Sequence, residues 1–225
     1  MGKIICDHTS DYYQGRQRHL TKGDRHNGAY YYSKEIVENI IPLVETNRPW
    51  LTINNFGNKC QNGTIVFIHN NKEIEASYSW LYRYRNLIGV CGVEKTAEIL
   101  QKWMPHSHFI TLPLSVNVEE VLKHKHKKTK EEAFVGRKIK MTYGELPENC
   151  DIIAGLPRDE LLDEMSRYKR VYAVGRCAIE AKVLGCKILP YDPRFPDPSI
   201  WKVVDNKEAA DILQHKIDEI DRIKR

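Results

Sequence analysis

The sequence predicts an α/β fold in which helices cover parallel β-sheets, and two observations carry this prediction. Short β-branched runs alternate with amphipathic stretches along the whole chain, which is the pattern of successive strand–helix–strand units. The composition is that of a globular protein, with 41% hydrophobic and 29% charged residues among 225. This length accommodates one large domain or two compact ones.

Nine of the short apolar runs predict strands, because strands buried in a parallel sheet are nearly continuously hydrophobic. Nine strands are too many for one small sheet, so the pattern favours two sheets. The predicted strands are Lys3–Cys6, Trp50–Asn54, Thr64–Ile68, Leu87–Cys91, Phe109–Pro113, Ala133–Gly136, Asp151–Ala154, Arg170–Val174 and Cys186–Pro190.

The stretches between these strands place their apolar residues on one helical face. In the first of them, Ser33–Glu45, the serine is a favourable N-cap, and Pro42 predicts that the helix is kinked or ends early. The other predicted helices are Val93–Trp103, Arg158–Tyr168, Cys177–Leu184 and Lys207–Lys224.

A break in composition predicts the boundary between two lobes. The basic run Lys123–Lys130 interrupts the apolar pattern before the strand at Ala133–Gly136 restarts it, and we interpret this run as a solvated linker. The prediction is a pair of Rossmann-like, doubly wound lobes that face each other across a cleft. Residues 1–125 form the first lobe and residues 126–225 the second.

The segment Asp11–Ser33 matches neither a strand nor a helix pattern and predicts a long loop. Because it follows the first strand, where open α/β sheets bind ligands, it is interpreted either as a functional lid or as a disordered segment.

Composition also argues against several other classes of protein. No apolar stretch approaches the roughly 20 residues of a membrane helix, and the amino terminus lacks the apolar core of a secretory signal, so a cytoplasmic location is expected. The six cysteines never form a C-x-x-C pair, which favours buried free thiols. His106, His108, His124 and His126 lack cysteine or acidic partners at ligand spacing, so no metal site is expected.

The clearest functional signal is a strand that ends at Gly175 and is followed at once by a helix with Glu180 in its first turns. The backbone amides of Arg176 and Cys177 at this helix start can bind an anion such as a diphosphate, and the glycine lets a ligand approach closely. Glu180 can accept hydrogen bonds from a ribose. A carboxylate near a helix amino end is also favourable without any ligand, so both interpretations stay open.

The pattern G-x-x-x-x-E-A-x-x-x-G at Gly175–Gly185, followed by a strand, resembles the carboxy-terminal lobe of GT-B glycosyltransferases. It is most similar to the retaining group that includes glycogen synthases and bacterial mannosyltransferases. Four other segments resemble that family in the same order along the chain, namely Thr64–His69, Ile110–Asn117, Phe134–Lys140 and Gly155–Leu162. The resemblance extends loosely from Trp50 to Asp192, in a chain much shorter than typical members.

The resemblance implies roles for individual residues. Arg137 and Lys140, in a segment that reads Phe-Val-Gly-Arg-Lys-Ile-Lys, are implied to hold the donor diphosphate. His69, at the end of a first-lobe strand, is implied to act as the catalytic residue that faces the donor sugar. One position departs from the family, whose members carry two glutamates eight positions apart. Here Tyr172 stands eight positions before Glu180.

These features lead to the hypothesis of a small, metal-independent GT-B-like glycosyltransferase. It would transfer a sugar from a nucleotide-diphosphate donor, bound by the second lobe, to an unknown saccharide or DNA acceptor on the side of the first lobe. The donor is a substrate, so no separate cofactor is expected. Two alternatives stay open. Tyr172 favours a non-catalytic module that binds nucleotide sugars, and Lys123–Lys130 with Arg83 and Arg85 favours a transferase that acts on DNA bases.

Overall fold

The structure is a computed structural model that describes residues 2–6, 33–52, 60–68, 74–136, 150–193 and 195–223. Two compact units are present. The first comprises the described residues up to Pro113 together with those from Lys207 onward, and the second comprises Leu114–Asn206. Residues 114–125 therefore group with the second unit and the carboxy-terminal helix groups with the first, whereas the sequence predicts a single boundary after residue 125.

Strands and helices alternate along the described residues. The strands are β1 (Ile4–Cys6), β2 (Trp50–Leu51), β3 (Ile65–Ile68), β4 (Ile88–Cys91), β5 (His108–Thr111), β6 (Lys130–Val135), β7 (Asp151–Ile153), β8 (Tyr168–Tyr172) and β9 (Lys187–Leu189). The α-helices are α1 (Ile74–Tyr78), α2 (Glu94–Trp103), α3 (Val118–Leu122), α4 (Arg158–Ser166), α5 (Arg176–Val183) and α6 (Asn206–Ile223). Each of the nine predicted strands overlaps an observed one. The predicted α/β class with parallel sheets is confirmed.

In the first unit, β1 to β5 form a parallel sheet in which the strands lie side by side in chain order. Strands β3 and β4 are buried along their whole length, which explains their continuous apolar sequence. One face of this sheet packs against α2 through Ala97 and Leu100, in a cluster that also contains Val66 and Ile68. The core of this unit is thus built from the inward face of an amphipathic helix and alternate residues of the strands.

The predicted helix at Ser33–Glu45 winds differently from an α-helix. It continues as a π-helix at Ile36–Ile40 and as a 3₁₀ helix at Ile41–Leu43, with Pro42 in the first turn of the latter. A proline has no amide hydrogen and its ring occupies the space of the preceding turn, so α-helical hydrogen bonding does not pass through it. The expected early end of the helix is confirmed.

Helix α6 completes the first unit from the far end of the chain. The Arg48 guanidinium contacts the Asp221 carboxylate at 2.6 Å and also donates to the carbonyl oxygens of Gly63 and Asn86. The Gln214 side chain exchanges two hydrogen bonds with the backbone of Glu45. These contacts fix α6 beside the segment that precedes β2.

The second unit is built on a four-stranded parallel sheet with the order β7-β6-β8-β9. Alternate residues of β6 and β8, such as Ala133 and Val171, enter one cluster with Leu162 and Met165 of α4 and with apolar residues of α5. Helix α5 ends in a Schellman motif, in which Gly185 adopts a positive φ of 79° and Cys186 donates to the Ala181 carbonyl. The helix ends here, and the chain continues into β9.

The basic run Lys123–Lys130 lies inside the second unit and does not join the two units. His124 and His126 both contact Asp163 Oδ1, at 3.0 and 2.9 Å, and the Lys130 ammonium bonds Glu164. The interpretation of this run as a linker was therefore wrong, although most of its side chains are exposed to solvent as predicted. The run lies beside α4, where His124, His126 and Lys130 contact carboxylates of that helix.

Candidate functional site

The strand order of the second unit identifies its candidate site. The site lies at the carboxyl edge of the sheet, where β6 and β8 end. Neighbouring strands β6 and β8 are paired in parallel, with Phe134 opposite Tyr172. The next strand along the chain after β6 is β7 on one side, and the next after β8 is β9 on the other side. At such a switch point the two connections leave in opposite directions, and open α/β sheets bind ligands in the crevice beyond the strand ends there.

Gly175 lies at this edge, between β8 and α5. Its φ of 62° and ψ of −137° are accessible to glycine but strained for residues with a side chain. Apart from its neighbours in the chain, a Cβ atom at this position would meet no atom of the described residues within 4 Å. The glycine is therefore required by the backbone conformation, and the described residues leave the space beside it open.

Three charged side chains come together next to Gly175. The buried Glu180 carboxylate, with 4% of its side chain exposed, places Oε1 at 2.9 Å from Arg158 Nη2 and at 2.8 Å from Arg176 Nε. Arg176 is the first residue of α5 and lies one turn before Glu180, whereas Arg158 is the first residue of α4. Two guanidinium groups share one carboxylate oxygen, so the trio is positively charged overall.

The two arginines lie at positions where a positive charge is unfavourable for the stability of a helix. Both lie at helix amino ends, where the helix dipole and the exposed amide hydrogens favour negative charge. Helix α5 therefore adds its positive end to the charge of Arg176, whereas the first turn of α4 also carries the acidic residues Asp159 and Glu160. This combination is suited to binding an anion at the carboxyl edge of the sheet.

Cys177, which the sequence predicts as part of the site, lies in the first turn of α5. Burial, reinforced by the nearby Glu180 carboxylate, raises the pKa of the Cys177 thiol to about 12. The thiol is protonated at neutral pH and is a poor nucleophile. Any part that Cys177 takes in anion binding thus comes from its position at the helix start.

Tyr172, at the end of β8, occupies the position that carries a glutamate in the family that the sequence resembles. Its ring meets that of Tyr191 edge to face, with centroids 6.5 Å apart. Burial and then a hydrogen bond to Glu132 raise the pKa of the Tyr172 phenol. This side chain is neutral at physiological pH and supplies neither the charge nor the basicity of a carboxylate.

The structure brings together four of the residues expected at the site, namely Gly175, Arg176, Cys177 and Glu180. His69, Arg137 and Lys140 lie outside the described residues, as does the predicted loop up to residue 32. Gly136, directly before Arg137, is the last described residue after β6.

Arg158 was not predicted as a site residue. The signal available in the sequence was an arginine at the start of a helix that follows a strand, which repeats the arrangement around Arg176. Nothing in the spacing of the two segments indicates that both side chains bond the same carboxylate.

Two kinds of feature are absent from the described part of the chain. It contains no group of three or more histidine, cysteine or acidic side chains with metal-binding geometry, and none of its helices is long and apolar enough to cross a membrane. The basic run proposed for DNA contacts is partly neutralised, because Lys123 bonds Glu120 and Lys130 bonds Glu164.

Comparisons with known proteins return no match, whether with protein-family models, with curated proteins or with solved structures.

Proposed function

We propose that this chain is a small glycosyltransferase that binds the diphosphate of a nucleotide sugar at the carboxyl edge of β6 and β8. The observation that carries the proposal is the pair of guanidinium groups, Arg158 and Arg176, gathered on Glu180 at the switch point of the second sheet. The open space beside Gly175 leaves room for the ligand.

The chemistry of sugar transfer explains why such a site is useful. When the bond between the sugar and the diphosphate breaks, negative charge grows on the departing phosphate oxygens. Fixed cationic hydrogen-bond donors stabilise that charge, because they are already oriented before the reaction begins. Arg158 and Arg176 supply such donors from α4 and α5. In the proposal, Arg137 and Lys140, which follow β6 in sequence, add to the same clamp.

The remaining parts of the proposal rest on the resemblance in sequence. They are the two-lobe GT-B arrangement, a donor side on the second unit, an acceptor side on the first and a role for His69 at the donor sugar. The acceptor is a saccharide or a DNA base.

A second candidate is a module that binds nucleotide sugars without transferring the sugar. Tyr172 favours it, because a neutral phenol bonded to Glu132 stands where the related transferases carry a glutamate. Binding and transfer must therefore be measured separately.

The first test uses thermal shift and calorimetry to measure the binding of UDP-, GDP-, ADP- and CDP-sugars. A donor that binds the folded state raises the melting temperature. We expect Gly175→Ala to weaken that donor about tenfold, because an alanine forced into this conformation costs about 1 to 2 kcal/mol and shifts the loop.

The matched control is Gly185→Ala, which also places an alanine at a positive φ, here 79°, at the opposite end of α5. It should lower the melting temperature and leave donor affinity unchanged. Absence of donor binding to the wild type, or equal loss of affinity in both variants, contradicts the proposed site. Release of free nucleoside diphosphate over a panel of saccharides and duplex DNA then separates a transferase from a binding module.

A further inference from the structure

Strand β5 is the last strand of the first sheet in the part of the chain that the structure describes, because it pairs with β4 and with no further described strand. Its backbone amides alternate in direction. The His108 amide donates to the Leu87 carbonyl on the side of β4. The Leu112 amide donates to the Cys91 carbonyl on the same side. The amide of Phe109 therefore points the other way, to the outer edge of the sheet.

The side chain of Gln101, in α2, covers the first part of this outer edge. Gln101 Nε2 donates to the Ser107 carbonyl at 2.9 Å, and Gln101 Oε1 accepts from the Phe109 amide at 3.0 Å. In a parallel sheet, one residue of a neighbouring strand bonds the same two groups, with its N–H on the carbonyl and its C=O on the amide. The Gln101 carboxamide thus takes the place of one residue of an added strand.

Pro113 covers the other end of the outer edge. Continuing the alternation, the outward positions are Phe109, Thr111 and Pro113. A proline has no amide hydrogen and cannot donate to an added strand. Thr111 is therefore the one outward amide of this stretch that neither Gln101 nor Pro113 covers.

The sequence of β5 makes an open edge prone to association. The segment Ser107–Leu112 contains no lysine, arginine or acidic residue and includes the strand-favouring residues Phe109, Ile110 and Thr111. The residues of β5 are partly or well exposed, whereas β3 and β4 are fully buried. Uncharged segments at a sheet edge pair readily with identical segments of other molecules. A second copy of the chain is thus the partner that an open β5 would bind.

We propose that Gln101 and Pro113 close the outer edge of β5 and thereby prevent it from pairing with β5 of a second copy of the chain. An added strand in either orientation needs the Ser107 carbonyl and the Phe109 amide, and both are already bonded to Gln101. This role is independent of the proposed function, because it involves the first sheet and no nucleotide.

The test compares the masses of variants by sedimentation velocity at increasing protein concentration. Gln101→Ala removes both hydrogen bonds and leaves the Ser107 carbonyl and the Phe109 amide open. Its weight-average mass should rise to about twice that of the wild type or more, because association follows mass action. Pro113→Ala, which restores an outward amide, should give a smaller rise.

The matched control is Gln214→Ala in α6. The Gln214 side chain also exchanges two hydrogen bonds with the backbone, at Glu45, which lies in no strand. Its loss should lower the stability to a similar extent and leave the mass unchanged. The rescue variant combines Gln101→Ala with Thr111→Pro, which removes the remaining outward amide without removing a hydrogen bond to β4. Its mass should return most of the way to that of the wild type.

The proposal is supported if Gln101→Ala associates, Gln214→Ala does not and Thr111→Pro suppresses the association. Wild-type masses in both Gln101→Ala and Pro113→Ala overturn it. Equal association of Gln101→Ala and Gln214→Ala also overturns it, because lost stability then explains the result. Association that Thr111→Pro leaves unchanged places the contact on another surface. If circular dichroism shows that Gln101→Ala is unfolded, the mass of Pro113→Ala relative to the wild type decides.

Discussion

The two sheets of this protein differ in strand order, and this difference places the candidate site. In the first unit the described strands follow chain order from β1 to β5, so every connection moves in the same direction. In the second unit β6 and β8 are neighbours whose connections leave to opposite sides. Only the second arrangement opens a crevice at the strand ends. Both sheets are parallel, so topology rather than composition makes the second sheet the candidate site.

The units also differ in how they are completed along the chain. Among the described residues, the second unit takes its members from Leu114–Asn206 alone, whereas the first also includes α6 from the far end of the chain. The first unit therefore depends on contacts distant in sequence, such as that between Arg48 and Asp221. The following predictions test these two differences.

The largest effect is expected from a pair of matched core substitutions. Phe67 in β3 and Phe134 in β6 are both almost fully buried, and each packs against another aromatic ring, Trp50 and Tyr191 respectively. Phe67→Ala and Phe134→Ala should each cost about 3 to 5 kcal/mol in stability, because truncation removes apolar contacts and leaves a cavity. Urea unfolding, monitored by tryptophan fluorescence, measures the loss of stability.

The two phenylalanine variants should differ in ligand binding. At a temperature where both are folded, Phe134→Ala should weaken the nucleotide, since Phe134 lies two residues before Gly136 at the switch point, and Phe67→Ala should not. If Phe67→Ala weakens the nucleotide as much as Phe134→Ala does, the site does not belong to the second sheet alone.

An intermediate effect is expected from the link that holds α6. Arg48→Gln removes the ion pair with Asp221, whose side chain is 41% exposed, so the cost should be about 1 to 2 kcal/mol and smaller than for a fully buried pair. Hydrogen exchange should become faster in α6 and remain unchanged in α4 and α5. Lys216→Gln, which removes an exposed pair on the same helix, is the control. Equal exchange in both variants would contradict the role of Arg48 as the anchor.

The smallest effect concerns the attachment of the basic run to α4. Hydrogen bonds from His126 and His124 hold the pKa of Asp163 below its usual range. A carboxyl group with a lowered pKa in the folded state stabilises the protein above its unfolded pKa of about 3.9, and this contribution is lost as the pH falls through the lower folded value. Because Asp163 is partly exposed, the contribution is at most about 1 kcal/mol.

Asp163→Asn should accordingly be less stable than the wild type at pH 6 to 7 and should approach it below about pH 3. Urea midpoints across this pH range measure the difference. Asp159→Asn, on the same helix face but 81% exposed, should show a smaller change. A difference that persists unchanged at low pH shows that the ionised form of Asp163 is not what stabilises the attachment.

Much of the secondary structure could be predicted from the sequence because buried parallel strands and amphipathic helices have distinct hydrophobic patterns. The pattern is weaker where elements are short. Helix α3 spans only five residues. The segment Ser79–Arg83, which follows α1 and contains two aromatic residues, forms a 3₁₀ helix in which Leu81 is buried and Tyr82 is exposed. Neither pattern is long enough to establish a helical period.

The candidate site was predictable to the extent that its residues lie close together in the chain. Gly175, Arg176, Cys177 and Glu180 share one strand–helix turn, so their proximity follows from local geometry. Arg158 comes from a separate strand–helix unit, and its contact with Glu180 exists because α4 and α5 start at the same edge of the sheet.

By itself, the sequence determined the strands, the longer helices and the parallel arrangement of the sheets, because hydrophobic periodicity and local backbone preferences are properties of neighbouring residues. The tertiary structure alone decided the strand order, the return of α6 to the first unit and the meeting of two arginines on one carboxylate. These features depend on which apolar faces pack together across long sequence separations. Strands of similar composition do not encode that choice locally, since each could pair with several others.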